Sequence, residues 1–407
     1  MWLVVFLIAA TFRPAGSNLP VPFHDWSSPH EVSLRGAGGT TAWVGAEATA
    51  NVVGSSGRQM HLLPQLLSGE EIASLHAAAQ RCDAFTAEPD TVDKEATYQA
   101  YIFEDGEPAR GAASEVAQLI QPIIEARILP YVRAKYDCPT ACLADALLRR
   151  YQKDERTSLG LHYDIEAFAT AIIPLSVQQQ ADQQPAAQQP ADPALLTTYE
   201  GGLFVQGGAS QSSRRLVRFA SAGDVLLHQF DVMHGVSLSG GTRYAVALWF
   251  SDSPEARAMG TAPWVADAAL CGNADAQFLQ ATFAAQGRFG NAQDDTAAAA
   301  WLQRGATQGH ALSQLGLGRL HLSGAFPGGS EPEVAVANFR LAAEQGHVEA
   351  QYALGLCYLD GNGARRSLRD ALHWFGLAAE QGGEYGEAAA LERAEVEEML
   401  RTKSDEL

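Results

Sequence analysis

Apolar residues recur at helical spacing in two stretches of the first third of the chain. The first stretch begins at Ser68, and Glu71 three residues later completes the pattern of a capping box. The second runs from Ala112 to Lys135, where Pro122 and Pro130 are expected to bend or bound the helix. The pattern therefore predicts two helices ahead of the strands.

Beyond Ala146 the apolar pattern changes to that of short strands. Gly, Ser and Asp separate six runs rich in β-branched and aromatic residues. Helices followed by strands indicate an α+β fold, with helices packed on one sheet of an antiparallel sandwich or barrel. A Gln/Pro/Ala-rich insertion at residues 178–194 is expected to be a mobile loop without chemistry. The six predicted strands are Leu147–Tyr151, Phe168–Leu175, Leu203–Val205, Leu216–Phe219, Val225–His228 and Tyr244–Phe250.

From about residue 260 the pattern is helical again, and an internal repeat is present. The segments 301–310, 338–347 and 374–383 align with periods of 37 and 36 residues, which is typical of helix-turn-helix solenoids. Their A-A-E-Q-G signature resembles Sel1-type repeats, which are relatives of the tetratricopeptide family. The resemblance implies a helical repeat region over residues 270–400 that binds a protein partner. A purely structural role, as a cap on the preceding domain, is the alternative.

The length and net charge of the chain limit its possible domain number and partners. A chain of 407 residues is long enough for two domains. The net charge of −19 argues against nucleic acid or an anionic membrane as partner. No apolar run reaches the length that a transmembrane helix needs.

The two ends of the chain carry address-like sequences. The apolar start and the small residues that follow predict a signal peptide over residues 1–17, with a loose leader at 18–57. The last four residues, 404–407 (S-D-E-L), resemble the K-D-E-L retrieval signal. Together they predict the lumen of the endoplasmic reticulum. A short buried segment, a misplaced start codon or a chance acidic tail are the alternatives.

A candidate metal site comes from His162, Asp164 and His234. Iron(II) oxygenases use two imidazoles and one carboxylate on one face of the metal, which leaves the other positions open. Residues i and i+2 of a strand point the same way, so His162 and Asp164 can both reach one ion. Arg243 stands nine residues after His234. A guanidinium there can hold a carboxylate in a bidentate fork.

The order of these residues resembles the 2-oxoglutarate/iron(II) dioxygenases of the prolyl and lysyl hydroxylase branch. The closest similarity is to the procollagen lysyl hydroxylases. The matching motifs are Tyr151 with Asp154-Glu155, the Y-E-G-G sequence at 199–202 and the G-T-R-Y sequence at 241–244. The resemblance covers residues 147–252 within a predicted domain at 58–256.

This resemblance implies a double-stranded β-helix, or jelly roll, that binds Fe(II) and 2-oxoglutarate and is sustained by ascorbate. Arg243 would bind the distal carboxylate of 2-oxoglutarate, with Tyr151 on the opposite side unless Tyr151 is only a core aromatic. The implied reaction hydroxylates a peptidyl side chain, with lysine favoured over proline, and releases succinate and carbon dioxide. His228 and Asp231 are expected to pack near the pocket rather than to bind the metal.

Some features depart from the lysyl hydroxylases. The spacing from His234 to Arg243 is one residue shorter and matches the oxygen-sensing prolyl hydroxylases instead, and the insertion and the repeats are foreign to the lysyl hydroxylases. Two alternative functions therefore stay open. One is a Sel1-type adaptor with a non-catalytic oxygenase fold, and the other is a small-molecule hydroxylase.

Overall fold

The computed structural model describes residues 41–42, 60–90, 96–179, 196–207, 209, 214–219, 221–326 and 329–405. The predicted signal peptide, nearly all of the leader and most of the Gln/Pro/Ala-rich insertion lie outside the described residues, as do the last two residues of the tail. Gln178, the first residue of that insertion, lies in a strand and is buried.

The observed architecture is α+β, as predicted: an antiparallel sandwich with flanking helices, followed by paired helices. The strands are β1 Thr41–Ala42, β2 Met60–Leu63, β3 Thr86–Pro89, β4 Ala96–Glu104, β5 Glu107–Pro108, β6 Cys142–Gln152, β7 Ser158–His162, β8 Ala169–Pro174, β9 Val177–Gln178, β10 Thr198–Gln206, β11 Arg214–Leu216, β12 Val225–Gln229 and β13 His234–Ser251. The helices are α1 Gly69–Arg81, α2 Ser114–Ile123, α3 Leu129–Lys135, α4 Pro254–Met259, α5 Pro263–Leu270, α6 Ala274–Gln286, α7 Asp295–Thr307, α8 Ala311–Ser323, α9 Pro332–Glu344, α10 Val348–Asp360, α11 Leu368–Gln381 and α12 Gly383–Asp405.

The two predicted N-terminal helices are present. The Ser68 side chain accepts a hydrogen bond from the Glu71 backbone, and Glu71 accepts one from the Ser68 backbone, so the capping box is formed. In the second helix, Pro122 does not end the helical path. A π-helical turn, Ile124–Ile128, joins α2 to α3, and Pro130 lies in the first turn of α3.

Two sheets form the sandwich, and β13 belongs to both. The larger sheet has the spatial order β1-β2-β12-β8-β13-β6-β4-β3. In the smaller sheet, the first half of β13 pairs with β7 on one side and β10 on the other. The second half of β13 pairs with β8 and β6 in the larger sheet. This 18-residue strand therefore lines the interior from one end to the other.

Alternation along the larger sheet separates two hydrophobic layers. One face packs against α1, α2 and α3 and includes Leu148, Val246 and Leu248. The other face meets the smaller sheet and includes Ile172 and Ala247. The helices thus cover the outside of the larger sheet, and the space between the sheets is left for a site.

The C-terminal helices pack in antiparallel pairs, and small residues permit their close approach. A Cβ atom at Gly318 would lie 2.4 Å from the Phe339 ring, and one at Gly355 would lie 2.5 Å from the Phe375 ring. Equivalent glutamines Gln277, Gln314 and Gln351 donate to the carbonyls of residues 269, 306 and 343. The hydrogen bonds thus repeat at the 37-residue spacing.

Within the described part of the chain, no helix combines the length and apolar character needed to cross a membrane. The five cysteines are free thiols, so Cys138 and Cys142 do not form a local disulfide.

Candidate metal centre

The structure brings His162, Asp164 and His234 together between the two sheets. One ligand atom from each lies within 4.8 Å of the others. The Nε2 atoms of His162 and His234 each lie 3.6 Å from an oxygen of Asp164. His162 ends β7 and pairs in register with His234, the first residue of β13. Cross-strand pairing therefore places the two imidazoles side by side, with ring centroids 4.4 Å apart.

Asp164 reaches this point by a route that the sequence did not predict. Strand β7 ends at His162, so His162 and Asp164 do not share one strand face. Asp164 lies in the following turn, where its carbonyl accepts a hydrogen bond from the Ala167 backbone. The turn, rather than strand alternation, directs the carboxylate towards the two histidines.

Backbone carbonyls set the tautomer of both histidines. Nδ1 of His162 lies 2.9 Å from the Gly160 carbonyl, and Nδ1 of His234 lies 3.0 Å from the Val232 carbonyl. A carbonyl can only accept, so each Nδ1 carries the proton and each Nε2 presents its lone pair. Metal-binding histidines are commonly oriented in this way.

The protonation states also suit a divalent cation. Burial alone would raise the pKa of Asp164, but His234, His162 and His228 hold this pKa well below its usual range. Burial lowers the pKa of His234 to about 3, although Asp164 opposes the shift. The carboxylate is therefore ionised and the imidazole of His234 neutral near pH 7, which is the state that metal binding requires.

Two buried residues of the larger sheet lie behind Asp164. The Thr170 hydroxyl donates to Asp164 Oδ2 over 2.7 Å, which fixes the carboxylate. His228 Nε2 lies 3.6 Å from the same oxygen, and the centroid of the His228 ring lies 4.4 Å from that of His234, with the two ring planes tilted by 57°. His228 thus packs beside the site, as predicted. Asp231 lies in the turn before His234 and accepts a hydrogen bond from Asn273.

Arg243 lies in the same cavity as the three candidate ligands. It is only 2% exposed, and its Nε has no hydrogen-bond partner. No carboxylate among the described residues forms an ion pair with it. Its guanidinium carbon lies 5.6 Å from the centroid of the Tyr151 ring and 5.8 Å from that of the Tyr199 ring. A buried cation without a counter-ion is costly, so this geometry suits an anionic ligand.

A β-bulge explains how residues nine apart on one strand line one cavity. In an unbroken strand, His234 and Arg243 would point to opposite faces. The pairing of β13 with β10 shifts register between Leu238 and Gly240, which leaves Ser239 as an extra residue. One extra residue reverses the alternation. Even-numbered residues before the bulge and odd-numbered residues after it therefore line the cavity.

Two cavity groups were not assigned a role from the sequence. Arg149 lines the cavity, and its guanidinium lies 3.8 Å from Asp90, beyond hydrogen-bond distance. Tyr199 was noted only as part of a motif, yet its hydroxyl is buried without a hydrogen-bond partner. Arg149 could have been found, because it lies two residues before Tyr151 on one strand and thus on the same face.

The cavity between the sheets has a volume of about 40 Å³. The candidate ligands, Arg149, Tyr151 and Arg243 supply its polar groups. The apolar lining comprises Leu159, Ile172, Leu203, Val236, Ala245, Ala247 and Trp249. The three candidate ligands and the two arginines thus face one narrow cavity.

Solved structures similar to this chain include oxygenases and a repeat protein. A 2OG-Fe(II) oxygenase family oxidoreductase from Burkholderia pseudomallei has 17% identity over 51% of this chain and 90% of that chain, with a TM-score of 0.35. A prolyl-4-hydroxylase from Pseudomonas putida has 15% identity over 50% and 96%, with a TM-score of 0.33. A Sel1 repeat protein from Oxalobacter formigenes has 30% identity over 32% and 95%, with a TM-score of 0.30.

None of the curated proteins compared with the chain matches it. The family model described as "Sel1 repeat" matches residues 275–310, 311–347 and 348–383. These bounds agree with the observed helix pairs α6–α7, α8–α9 and α10–α11. The C-terminal helical region of this chain therefore contains three Sel1 repeats.

Proposed function

We propose that this chain is a 2-oxoglutarate- and iron(II)-dependent dioxygenase that hydroxylates a peptidyl side chain. The observation that carries the proposal is the shared cavity of His162, Asp164, His234 and the unpaired cation Arg243. Two imidazoles and a carboxylate on one side of a metal suit iron(II) and leave its other positions open. The alternative of a non-catalytic adaptor is disfavoured, because that role does not explain an unpaired buried arginine beside a complete ligand set.

Each group of the site has a defined task in the proposed reaction. Arg243 binds the distal carboxylate of 2-oxoglutarate in a bidentate fork, and the rings of Tyr151 and Tyr199 lie within 6 Å of the guanidinium. Thr170 holds Asp164 in the orientation that a ligand needs. The apolar walls limit access of water. Bound iron would supply the activation of dioxygen.

In the proposed reaction, the two atoms of one dioxygen molecule enter two different products. 2-Oxoglutarate, dioxygen and a C–H bond are converted to succinate, carbon dioxide and a C–OH group. One oxygen atom enters the succinate carboxylate, and the other enters the hydroxyl. Oxidative decarboxylation supplies the two electrons that the hydroxylation does not.

Lysine and proline are the two side chains to distinguish. The motif resemblance favours lysine. Arg149 favours an uncharged side chain such as proline, because a lysine ammonium entering the cavity would meet a second cation there. A small-molecule substrate is the remaining alternative. The endoplasmic reticulum lumen and a requirement for ascorbate are further parts of the proposal that rest on the sequence alone.

The test is turnover of 2-oxoglutarate by purified protein with Fe(II), ascorbate and peptides that contain either lysine or proline. Succinate formation and the addition of one oxygen atom to the peptide are measured together. We expect both signals in the wild type and in His373→Ala, which alters an exposed histidine of the repeats. Both should be lost in His162→Ala.

Different failures point to different alternatives. Turnover that persists in His162→Ala would rule out the proposed centre. Iron binding without any turnover, with a protein partner retained on the repeats, would favour the adaptor. Succinate formation without peptide oxidation under all conditions would favour a small-molecule substrate.

A further inference from the structure

The first repeat helix contacts both segments that carry the candidate metal ligands. Tyr163, which stands between His162 and Asp164, donates its hydroxyl to Asp275 of α6 over 2.6 Å. Asn273, which precedes α6, donates its amide to Asp231 over 2.8 Å. Asp231 lies three residues before His234. Two hydrogen bonds thus join one end of α6 to the turns on either side of the site.

These hydrogen bonds are shielded from water. Asn273, Asp275 and Asp231 are all buried. His310, at the start of the second repeat, places its Nε2 3.4 Å from the same Asp275 oxygen that accepts from Tyr163. A buried polar group that loses its partner bears most of its desolvation cost, so these contacts constrain position strongly.

The residue before α6 differs from its counterparts in the next two repeats. The repeating glutamines align Asn273 with His310 and His347, which precede α8 and α10. Asn273 accepts the Ala276 backbone N–H on its carbonyl oxygen while its NH₂ group donates to Asp231. A neutral histidine has one donor and one acceptor in a fixed ring and cannot reproduce this geometry. The first repeat is thus specialised at the point where it meets the site.

We propose that Asn273 and Asp275 are positioning residues of the metal centre. They hold the turn that carries Asp164 and the turn that precedes His234 at the separation that one ion requires. The Sel1 repeats are then part of the scaffold of the site rather than an independent module. The inference rests on the proposed metal centre but not on the hydroxylation reaction.

The test measures cobalt(II) affinity by titration of its visible absorption, so that no turnover is needed. Tyr163→Phe removes only the hydroxyl group that donates a hydrogen bond to Asp275. Asn273→Ser keeps a side-chain cap for α6 but removes the donor to Asp231. Loss of an outer-sphere partner of a metal site commonly weakens binding by 10- to 100-fold, and we expect roughly tenfold for each variant.

Two controls separate positioning from general stability. Tyr358→Phe removes a hydroxyl that accepts from Arg340 within the repeats, far from the site. This variant should bind cobalt(II) as the wild type does. Asp275→Asn keeps an oxygen that accepts from Tyr163 and should retain most of the affinity, whereas Asp275→Ala should lose it. Thermal unfolding of the metal-free proteins should not follow this order.

Unchanged cobalt(II) affinity in Tyr163→Phe and Asn273→Ser would overturn the inference and leave the proposed function standing. A fall in affinity that only follows the loss of thermal stability, and that Tyr358→Phe shows as well, would also overturn it. A wild type that binds no cobalt(II) would overturn both this inference and the proposed centre.

Discussion

The cavity between the two sheets and the repeat array each contain a buried or partly buried arginine, and the two arginines have different partners. In the repeats, Arg319 of α8 forms an ion pair with Glu349 of α10, and its side chain is 24% exposed. In the cavity, Arg243 is almost fully buried and has no carboxylate partner among the described residues. An arginine that serves packing is paired within the fold. An arginine left without a partner indicates a ligand that is not part of the chain.

The largest expected effect is therefore that of removing the charge at Arg243. Arg243→Met should weaken 2-oxoglutarate binding by at least about thirtyfold, because loss of one partner of a buried charge pair costs roughly 2–5 kcal/mol. The same variant should raise the stability of the ligand-free protein, since it removes an uncompensated buried charge. Calorimetric titration with 2-oxoglutarate and chemical unfolding measure the two effects.

Arg319→Met is the matched control and should behave in the opposite way. Glu349 would lose its partner, so the free energy of unfolding should fall, by less than the roughly 3–5 kcal/mol of a fully buried pair because Arg319 is partly exposed. Binding of 2-oxoglutarate should be unaffected. If Arg243→Met instead destabilised the ligand-free protein as Arg319→Met does, the contrast between the two arginines would disappear.

Local patterns in the sequence predicted much of the fold. The capping box at Ser68 and the A-A-E-Q-G repeats depend on neighbours within a few residues or on a fixed period, and both correspond to observed elements. Strand β4, Ala96–Glu104, was not predicted, because its burial does not alternate regularly. The sequence thus predicted those elements whose structure is determined by a pattern within their own residues.

The candidate site could be predicted only in part. The ligand residues and Arg243 were found from their order, and the structure places them in one cavity. The turn that directs Asp164 and the bulge at Ser239 depend on pairing between distant strands. The bond from Asn273 to Asp231 joins residues 42 apart in sequence. Such contacts leave no local pattern, which is why the role of α6 was missed. Arg149 was missed although its position two residues before Tyr151 on one strand could have indicated it.

The repeat array itself should respond to packing changes without any effect on the site. Gly318→Ala places a Cβ 2.4 Å from the buried ring of Phe339, and overpacking of this kind costs roughly 1–3 kcal/mol. Gly376→Ala, in α11, meets nothing within 4 Å and should stabilise by about 0.5–1 kcal/mol through helix propensity. The midpoint of urea unfolding should therefore move down in the first variant relative to the second.

The Gly318→Ala and Gly376→Ala variants also test whether packing in the repeat array affects the metal centre. Neither glycine lies near Asn273 or Asp275, so cobalt(II) affinity should be equal in both variants when measured well below their unfolding transitions. A loss of affinity in Gly318→Ala would mean that strain spreads along the whole array to the centre. In that case the contribution of the repeats would not be confined to the first helix.

The smallest expected effect concerns Arg149, whose charge is compensated less than that of Arg319 and more than that of Arg243. It lines the cavity but has Asp90 within 3.8 Å, so its charge is only partly compensated. At an effective dielectric constant of about 20, two like charges about 10 Å apart repel by on the order of 1–2 kcal/mol, and Asp90 offsets part of this repulsion. Arg149→Leu should therefore raise the kcat/KM for a lysine peptide relative to a proline peptide by roughly fivefold.

Arg150→Leu provides the control, because Arg150 lies next to Arg149 on β6 but faces away from the cavity and pairs with Glu155. A ratio that changes equally in both variants, or in neither, would mean that Arg149 does not select the side chain, and the choice between lysine and proline would then depend on groups outside this wall of the cavity.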